Sequence, residues 1–467
     1  MATVSLTLTG AQHAELKAHL FPGDGCEAVA IALCGRREGE DRKRLVVRHL
    51  VLVPHADCAL RTPDQVTWPA QVTLEPLMEE ARRRDWSIVK IHGHLAFERF
   101  SQTDDASDSL LFPSIHAWLD TAGPHASAIM MADGHMFGRT VDDEGGFAPL
   151  DWINVVGDDL PFWRPKKEES AIPDHARRIA QTFGAGTYAL LRQLRIGVVG
   201  CSGTGSPVIE QLARNCVGEL VLVDPDTVEL KNLNRILNTT AEDARIGARK
   251  VEVLARAIST MQLGTRVETH AASLFDPAVV KAIAGCDVVF GCMDSVDGRH
   301  LLNKLATFYA IPYFDLGVKL EADGAGGIDQ VCGTVNYLQP GGSSLLSRRV
   351  YSLAQVTSAG LQRTDPATYR AQLEQGYIRG VAEDRPAVIQ LNMLIASLAV
   401  NELLARLHPY RLESNGDYAI HRISLSHGIY EHTADGEPCA VLARHVGRGD
   451  VSPLLDWAEL SKGQRAA

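Results

Sequence analysis

The stretch that most constrains the fold lies at 194–224. LRIGVVG (194–200) is a near-continuous apolar run that enters the loop Gly200-Cys201-Ser202-Gly203-Thr204-Gly205. The helical pattern SPVIEQLARN follows, and ELVLVD (219–224) then repeats the strand pattern. Strands buried on both faces of a parallel sheet read as continuous apolar runs of this kind. A chain that turns from strand to helix in so short a loop needs glycine where a Cβ would clash. The helix start then offers unpaired N–H groups to a phosphate. Asp224 ends the second strand about 20 residues on, where an acidic side chain meets ribose hydroxyls. CDVVFGCMD (286–294) and IPYFDLGV (311–318) predict two more strands, with helical LLNKLATFYA (301–310) between them. This rhythm implies an α/β, doubly wound, Rossmann-like sheet. Residues 340–385 are Gly-, Ser- and Arg-rich with weak periodicity and read as an excursion from the sheet. A strong apolar helix is predicted over 387–407.

The 467 residues exceed what one such sheet needs, and Lys+Arg 46 against Asp+Glu 57 gives a net charge of −11. An acidic chain without a basic tract excludes non-specific nucleic-acid binding. No apolar run reaches the ~18 residues a membrane span needs. The N-terminus has no basic and apolar leader pattern, and none of the nine cysteines forms a CxxC pair. Both features point to a reducing, cytoplasmic setting. The segment 158–176 carries three prolines and a charge cluster and reads as a linker between domains at 1–157 and 177–467. In the first domain, 27–35, 44–53, 86–94 and 126–132 read as strands and 74–85 as a helix, giving a smaller α+β or α/β domain.

The residues after the second strand distinguish among nucleotide folds. Asp224-Pro-Asp226-Thr-Val-Glu-Leu-Lys-Asn232-Leu-Asn234-Arg235 is not a dehydrogenase pattern. It resembles the D-x-D-x-V-x-x-x-N-L-x-R signature of the ThiF/MoeB/HesA adenylyltransferases, the ubiquitin-activating superfamily. Ile246-Gly-Ala-Arg-Lys250, Met293-Asp294 to Arg299 with Asn303, and Gly333 to Gly341 resemble that family's later segments, in order. Ser202 departs from the usual glycine. The resemblance implies ATP with Mg2+. Gly200, Gly203, Gly205, Asp224, Asn232, Asn234, Arg235, Lys250 and Asp294 would form the nucleotide site. Asp224 would hold ribose, Arg235 and Lys250 the phosphates, and Asp294 the magnesium. Arg178, next to Arg177, resembles an arginine given across a homodimer. The family's CxxC pairs are missing: one expected position reads Gly-Ser-Ser-Leu-Leu-Ser and the other Cys439-Ala-Val-Leu. Four zinc ligands cannot be assembled there. Cys332 reads as an inert core thiol rather than a thioester nucleophile, and so does Cys201, with a reactive thiol in the glycine loop as its alternative.

In the first domain a strand ends in His92-Gly93-His94, whose imidazoles share one face of the strand. Ser101-Gln-Thr-Asp104 follows, a pattern that also caps a helix. With Glu27 on the strand EAVAIALCG, this combination resembles the H-x-H…S-x-x-D motif of JAB/MPN (JAMM) zinc isopeptidases. The resemblance implies Zn2+ on His92, His94 and an aspartate, Glu27 as general base, and Ser101 steadying the oxyanion. Leu95 stands where proline is usual, and the loop to Ser101 is one residue short. Asp104 keeps the S-x-x-D spacing and is favoured, while Asp105 keeps the distance from His94 and stays an alternative.

Together the resemblances imply a bacterial-style fusion that processes and activates a ubiquitin-like protein or a peptide with a free C-terminus, with a downstream conjugating protein. Two alternatives remain open: a tailoring adenylyltransferase for a small molecule or peptide, and a non-catalytic scaffold for ubiquitin-like proteins.

Overall fold

Period-two burial explains the first half of the chain. In Val29–Arg37, Ala30, Ala32 and Cys34 join one apolar cluster, while Ile31 and Leu33 join a second one on the opposite face. Both faces of this strand are therefore covered. The computed structural model describes residues 2–120, 123–165, 171–322, 327–374 and 388–461. It divides into two units, the first comprising Met1–Glu169, Phe308–Ala310 and His445–Ser452, and the second the remainder.

The strands of the first unit are β1 (Thr3–Thr9), β2 (Val29–Arg37), β3 (Arg42–Leu52), β4 (Leu60–Thr62), β5 (Gln65–Thr67), β6 (Ser87–His94), β7 (His125–Met131), β8 (Met136–Val141), β9 (Phe147–Pro149), β10 (Trp152–Val156) and β11 (Phe162–Trp163). Its helices are α1 (Gly10–Leu20), α2 (Ala70–Arg84) and α3 (Gln102–Leu119). Nine of the strands form one mixed sheet in the order β11-β10-β1-β3-β2-β6-β7-β8-β9. Leu16 and Leu20 of α1 pack with Val89 and Ile91 on one face. Leu74 of α2 and Phe112 and Ile115 of α3 pack with Ile88 on the other. Lys90, His92 and His94 share the parity of Ile88, so β6 presents them on the face that α3 covers.

The second unit contains α4 (Arg177–Leu191), α5 (Gly205–Arg214), α6 (Ala241–Ile246), α7 (Lys250–Met261), α8 (Pro277–Ala284), α9 (Val296–Phe308), α10 (Leu353–Thr364), α11 (Pro366–Glu374) and α12 (Ile389–Leu407). Its strands are β12 (Arg195–Val199), β13 (Glu219–Val223), β14 (Arg266–His270), β15 (Val288–Gly291), β16 (Tyr313–Ala322), β17 (Ile328–Leu338), β18 (Ile420–Ser424) and β19 (Ile429–Thr433). They form a sheet in the order β14-β13-β12-β15-β16-β17-β18-β19. β14 to β16 pair in parallel, and β17, β18 and β19 extend the sheet antiparallel. The sheet is thus mixed rather than wholly parallel. The strand order reverses around β12, and a crevice opens beyond the carboxyl ends of strands at such a point. The weakly periodic segment 340–385 holds α10 and α11, and its residues 375–387 lie outside the described ones.

Helix α12 packs against α5, β16 and β17. Its wholly buried Glu402 accepts hydrogen bonds from His421 Nε2 (2.7 Å), Arg406 Nε (2.8 Å) and the Arg411 guanidinium. Burial works to raise this carboxyl, but these partners hold it at about 2, below its ordinary 4.5. A depressed carboxyl contributes stability that is complete above its unfolded pKa and lost as pH falls through the folded one. Urea titrations of Glu402→Gln should therefore show a shallower loss of unfolding free energy between pH 4.5 and 2 than the parent chain. Equal slopes would mean that the cluster does not govern acid stability.

Candidate functional site

The glycine loop is built by close approaches. Gly200 has φ +94°, and a Cβ there would meet the Cys292 carbonyl oxygen at 2.7 Å. A Cβ on Gly205 would meet the Gly200 carbonyl oxygen at 1.8 Å, and one on Gly203 the Asn392 Nδ2 at 2.4 Å. Ser202 is absent from the residues with positive φ, so serine stands there without backbone strain. Asp224 secures the loop: its carboxylate accepts from the Cys201 N–H (2.7 Å) and the Asp226 N–H (2.9 Å). Burial raises the Asp224 carboxyl, opposed by Lys250 and those two amides.

A cleft of about 730 Å³ lies over this loop. Its lining includes Gly200, Gly203, Asp224, Asn232, Arg235, Lys250 and Asp294 among the residues the sequence singles out. Gly205 begins α5 behind the loop, while exposed Asn234 and exposed Arg178 do not line the cleft. Asn232 is buried, and its Oδ1 accepts from the Glu229 N–H (3.0 Å), closing the turn before Arg235. Lys250 pairs with Asp226 (2.7 Å) and stands 3.7 Å from Asp224. Arg299 makes two contacts with wholly buried Asp315 (2.8 and 2.5 Å), at the β16 side of the cleft. Asn303 lies away from the lining, where its Oδ1 receives the Leu345 N–H (3.0 Å). The Arg235 guanidinium donates to the Lys231 carbonyl (2.7 Å) and to Asn234 Oδ1 (3.3 Å) and has no carboxylate partner among the described residues. Asp294 is exposed in the cleft and has no ion-pair partner among them. An uncommitted guanidinium and an uncommitted carboxylate suit a phosphate and a hard divalent cation respectively.

Sequence reading missed three parts of this cleft. Gln362 and Arg363 of α10 form one wall, and Arg363 lies over the Phe275 ring at 3.4 Å and pairs with Asp297 (2.8 Å). Asn392 of α12 is the third. Cys201 is fully buried, and burial pushes its thiol well above its ordinary value, so it is no thiolate nucleophile. Cys332 is half-buried on β17 rather than in the core. The two segments where CxxC pairs were missing are joined without thiolates: Ser343 and Arg348 both bond Asp435, Arg348 at 2.9 Å, and the Cys439 N–H donates to the Gly342 carbonyl (3.0 Å).

In the first unit, His92 Nε2 lies 3.1 Å from His94 Nε2 and 3.0 Å from Asp104 Oδ1. The ligand atoms of these three lie within 4.8 Å of one another. His94 Nδ1 meets the Phe97 carbonyl (2.9 Å), which directs its Nε2 inward. Two imidazole nitrogens and one carboxylate oxygen fit Zn2+. Burial tends to raise Asp104, but hydrogen bonds from His92 and His94 win and hold it well below the usual carboxylate range. Glu27 Oε1 stands 3.7 Å from His94 Nε2. Burial, with the Asp104 charge beside it, pushes the Glu27 carboxyl up to about 7 against the pull of His94. Ser101 is the N-cap of α3, its Oγ 2.8 Å from Asp104 Oδ2 and accepting the Asp104 N–H (3.1 Å). Asp105 instead pairs with Arg139.

A buried ion network ties the two ligand-bearing elements together. Wholly buried Asp108 of α3 pairs with Lys90 of β6 and with Arg139 of β8 (2.7 Å). The Arg139 guanidinium also lies 3.7 Å from the ring centroids of both Phe100 and Phe147.

An α/β sheet whose glycine loop, acidic strand end and flanking cations meet at the strand-order reversal defines a Rossmann-type α/β fold. The chain belongs to the ThiF family, whose profile matches residues 175–433. Ubiquitin-like modifier-activating enzyme 5 of Drosophila pseudoobscura pseudoobscura is 30% identical over 166 residues, 33% of this chain and 39% of that protein. The SAMP-activating enzyme E1 of Haloferax volcanii is 38% identical over 118 residues, 25% of this chain and 43% of that protein. The chain thus spans well under half the length of the curated relatives it matches. Among solved structures, E. coli MccB with ATP aligns at TM-score 0.43 and 18% identity, over 59% of this chain and 76% of that one.

Removing one partner of a buried ion cluster leaves uncompensated charge, at a cost of about 3–5 kcal/mol. Asp108→Ala, which strands Lys90 and Arg139, should lower the stability of the first unit by that amount in urea unfolding, while Asp143→Ala, at an exposed position, should change little.

Proposed function

We propose that the ThiF-family region adenylates the C-terminal carboxylate of a ubiquitin-like protein or peptide. The carrying observation is the cleft's pair of uncommitted charges, Arg235 and Asp294, beside the glycine loop. The names of the Drosophila and Haloferax relatives support a protein substrate of this kind. A carboxylate oxygen attacks the α-phosphorus, a new P–O bond forms, and pyrophosphate departs with the electrons of the cleaved P–O bond. Arg235 and Lys250 neutralise phosphate charge, Asp224 orients ribose, and Asp294 holds Mg2+. Arg178, outside its own cleft, serves the partner's nucleotide in a homodimer.

The N-terminal unit, on this reading, is a JAB/MPN-type (JAMM) zinc peptidase that exposes or releases that C-terminus. His92, His94 and Asp104 would hold Zn2+, which when bound supplies Lewis acidity toward an amide carbonyl. Glu27, its carboxyl near neutrality, takes the proton of the attacking water and returns it to the leaving amine. The Ser101 hydroxyl, which donates to Asp104 Oδ2 in the structure, would turn to donate to the developing oxyanion.

ATP–pyrophosphate exchange should appear only with a partner that has a free C-terminus. Arg235→Ala should reduce exchange by about 10²–10³-fold, and Asp294→Ala should abolish it. Exchange supported by a small carboxylate alone would replace the protein substrate with a small one. Purified chain should carry about one zinc ion per chain, the content of a single three-ligand catalytic site. Zinc-selective chelation followed by exchange assay in excess Mg2+, or His92→Ala with His94→Ala, should remove the zinc and stop cleavage while exchange continues. A metal-free chain, or exchange that collapses with the metal, would refute the two-site reading.

A further inference from the structure

Asn392 is 1% exposed, and its Nδ2 is a buried donor with no hydrogen-bond partner among the described residues. It lies in the first turn of α12 and lines the nucleotide cleft. Leaving such a donor unmade is costly, and an orphan of this kind in a native fold calls for a ligand or another explanation. The amide sits directly over the glycine loop, since a Cβ on Gly203 would lie 2.4 Å from Nδ2, with Arg235 Cδ at 3.3 Å from the same point. Glycine at 203 therefore makes room for the amide as well as for the turn. Two donors converge here: the amide of Asn392 and the guanidinium of Arg235, beside the start of α5, where the Ser206 N–H is taken by the Ser202 carbonyl (2.8 Å) and Pro207 has none. Both suit an anionic oxygen. Unlike lysine, a neutral amide can be buried here without a carboxylate partner.

We propose that Asn392 is a phosphate ligand of the nucleotide cleft, its Nδ2 donating to a phosphoryl oxygen of the bound nucleoside triphosphate beside Arg235. This rests on the adenylation reading and adds to it a contact from the far end of the fold's sequence. Asn392 acts by direct contact, so it discriminates the phosphates and is indifferent to the nucleoside.

The test is calorimetric titration of the full chain with Mg-ATP and with adenosine. The variants are Asn392→Ala and the isosteric Asn392→Asp, and the melting temperature of each is recorded. Loss of one hydrogen bond to a charged group, about 1.5–3 kcal/mol, corresponds to a ~10–100-fold weaker Mg-ATP Kd in Asn392→Ala. Asn392→Asp, which sets a carboxylate against the phosphates while keeping the shape, should lose more. Adenosine affinity should stay within about twofold in both, as expected if RT-scale changes alone act on the nucleoside. Mg-ATP binding unchanged in both variants, or equal losses for Mg-ATP and adenosine, would overturn the inference while leaving adenylation standing. A parent chain that binds no Mg-ATP would overturn both.

Discussion

The carboxylate of Asp224 holds the cleft over the glycine loop in register. It accepts one N–H from the glycine loop and one from the turn that follows β13, so it joins the two strand ends on which a nucleotide would rest. Hydrogen bonds to a charged acceptor are stronger than neutral ones. Without them the loop would be a mobile connection, and Lys250, which stands 3.7 Å from the same carboxylate, would lose part of its seat.

The cleft sorts its charges into two sets. Lys250, Arg299 and Arg363 are paired with Asp226, Asp315 and Asp297, and those pairs shape the walls. Arg235 and Asp294 are left to meet solvent or ligand. The same division appears in the first unit, where Asp105 and Asp108 serve Arg139 and Lys90 while Asp104 faces the histidines. In both places ion pairs fix the geometry around the site, and in the cleft the paired Lys250, Arg299 and Arg363 line it together with Arg235 and Asp294.

Much of this was legible in the sequence because it depends on local rules. The β12 run, the glycines and Asp224 are bound by strand burial and close backbone approach, which leave a mark within thirty residues. His92 and His94 share a strand face by parity alone, and Asp104 follows from the helix cap at Ser101. What escaped was long-range. β1 is a short Ser- and Thr-bearing strand whose burial comes from its neighbours β3 and β10. β17 to β19 extend the sheet through pairings that no local period announces. Asn392 is one polar residue in an apolar helix, and only the approach of Gly203 marks it out. The weak periodicity of 340–385 concealed α10, whose apolar face is narrow and whose polar residues enter the cleft.

The side chain at position 139 is flat in a slot that demands flatness. Phe100 and Phe147 approach the guanidinium at the same distance, and two aspartates take its N–H groups in different directions. A lysine would keep the charge but could neither slide between two aromatic faces nor address both acids with a rigid fork. The position therefore reads planarity as much as charge, and a substitution table that scores lysine for arginine as mild would misjudge it.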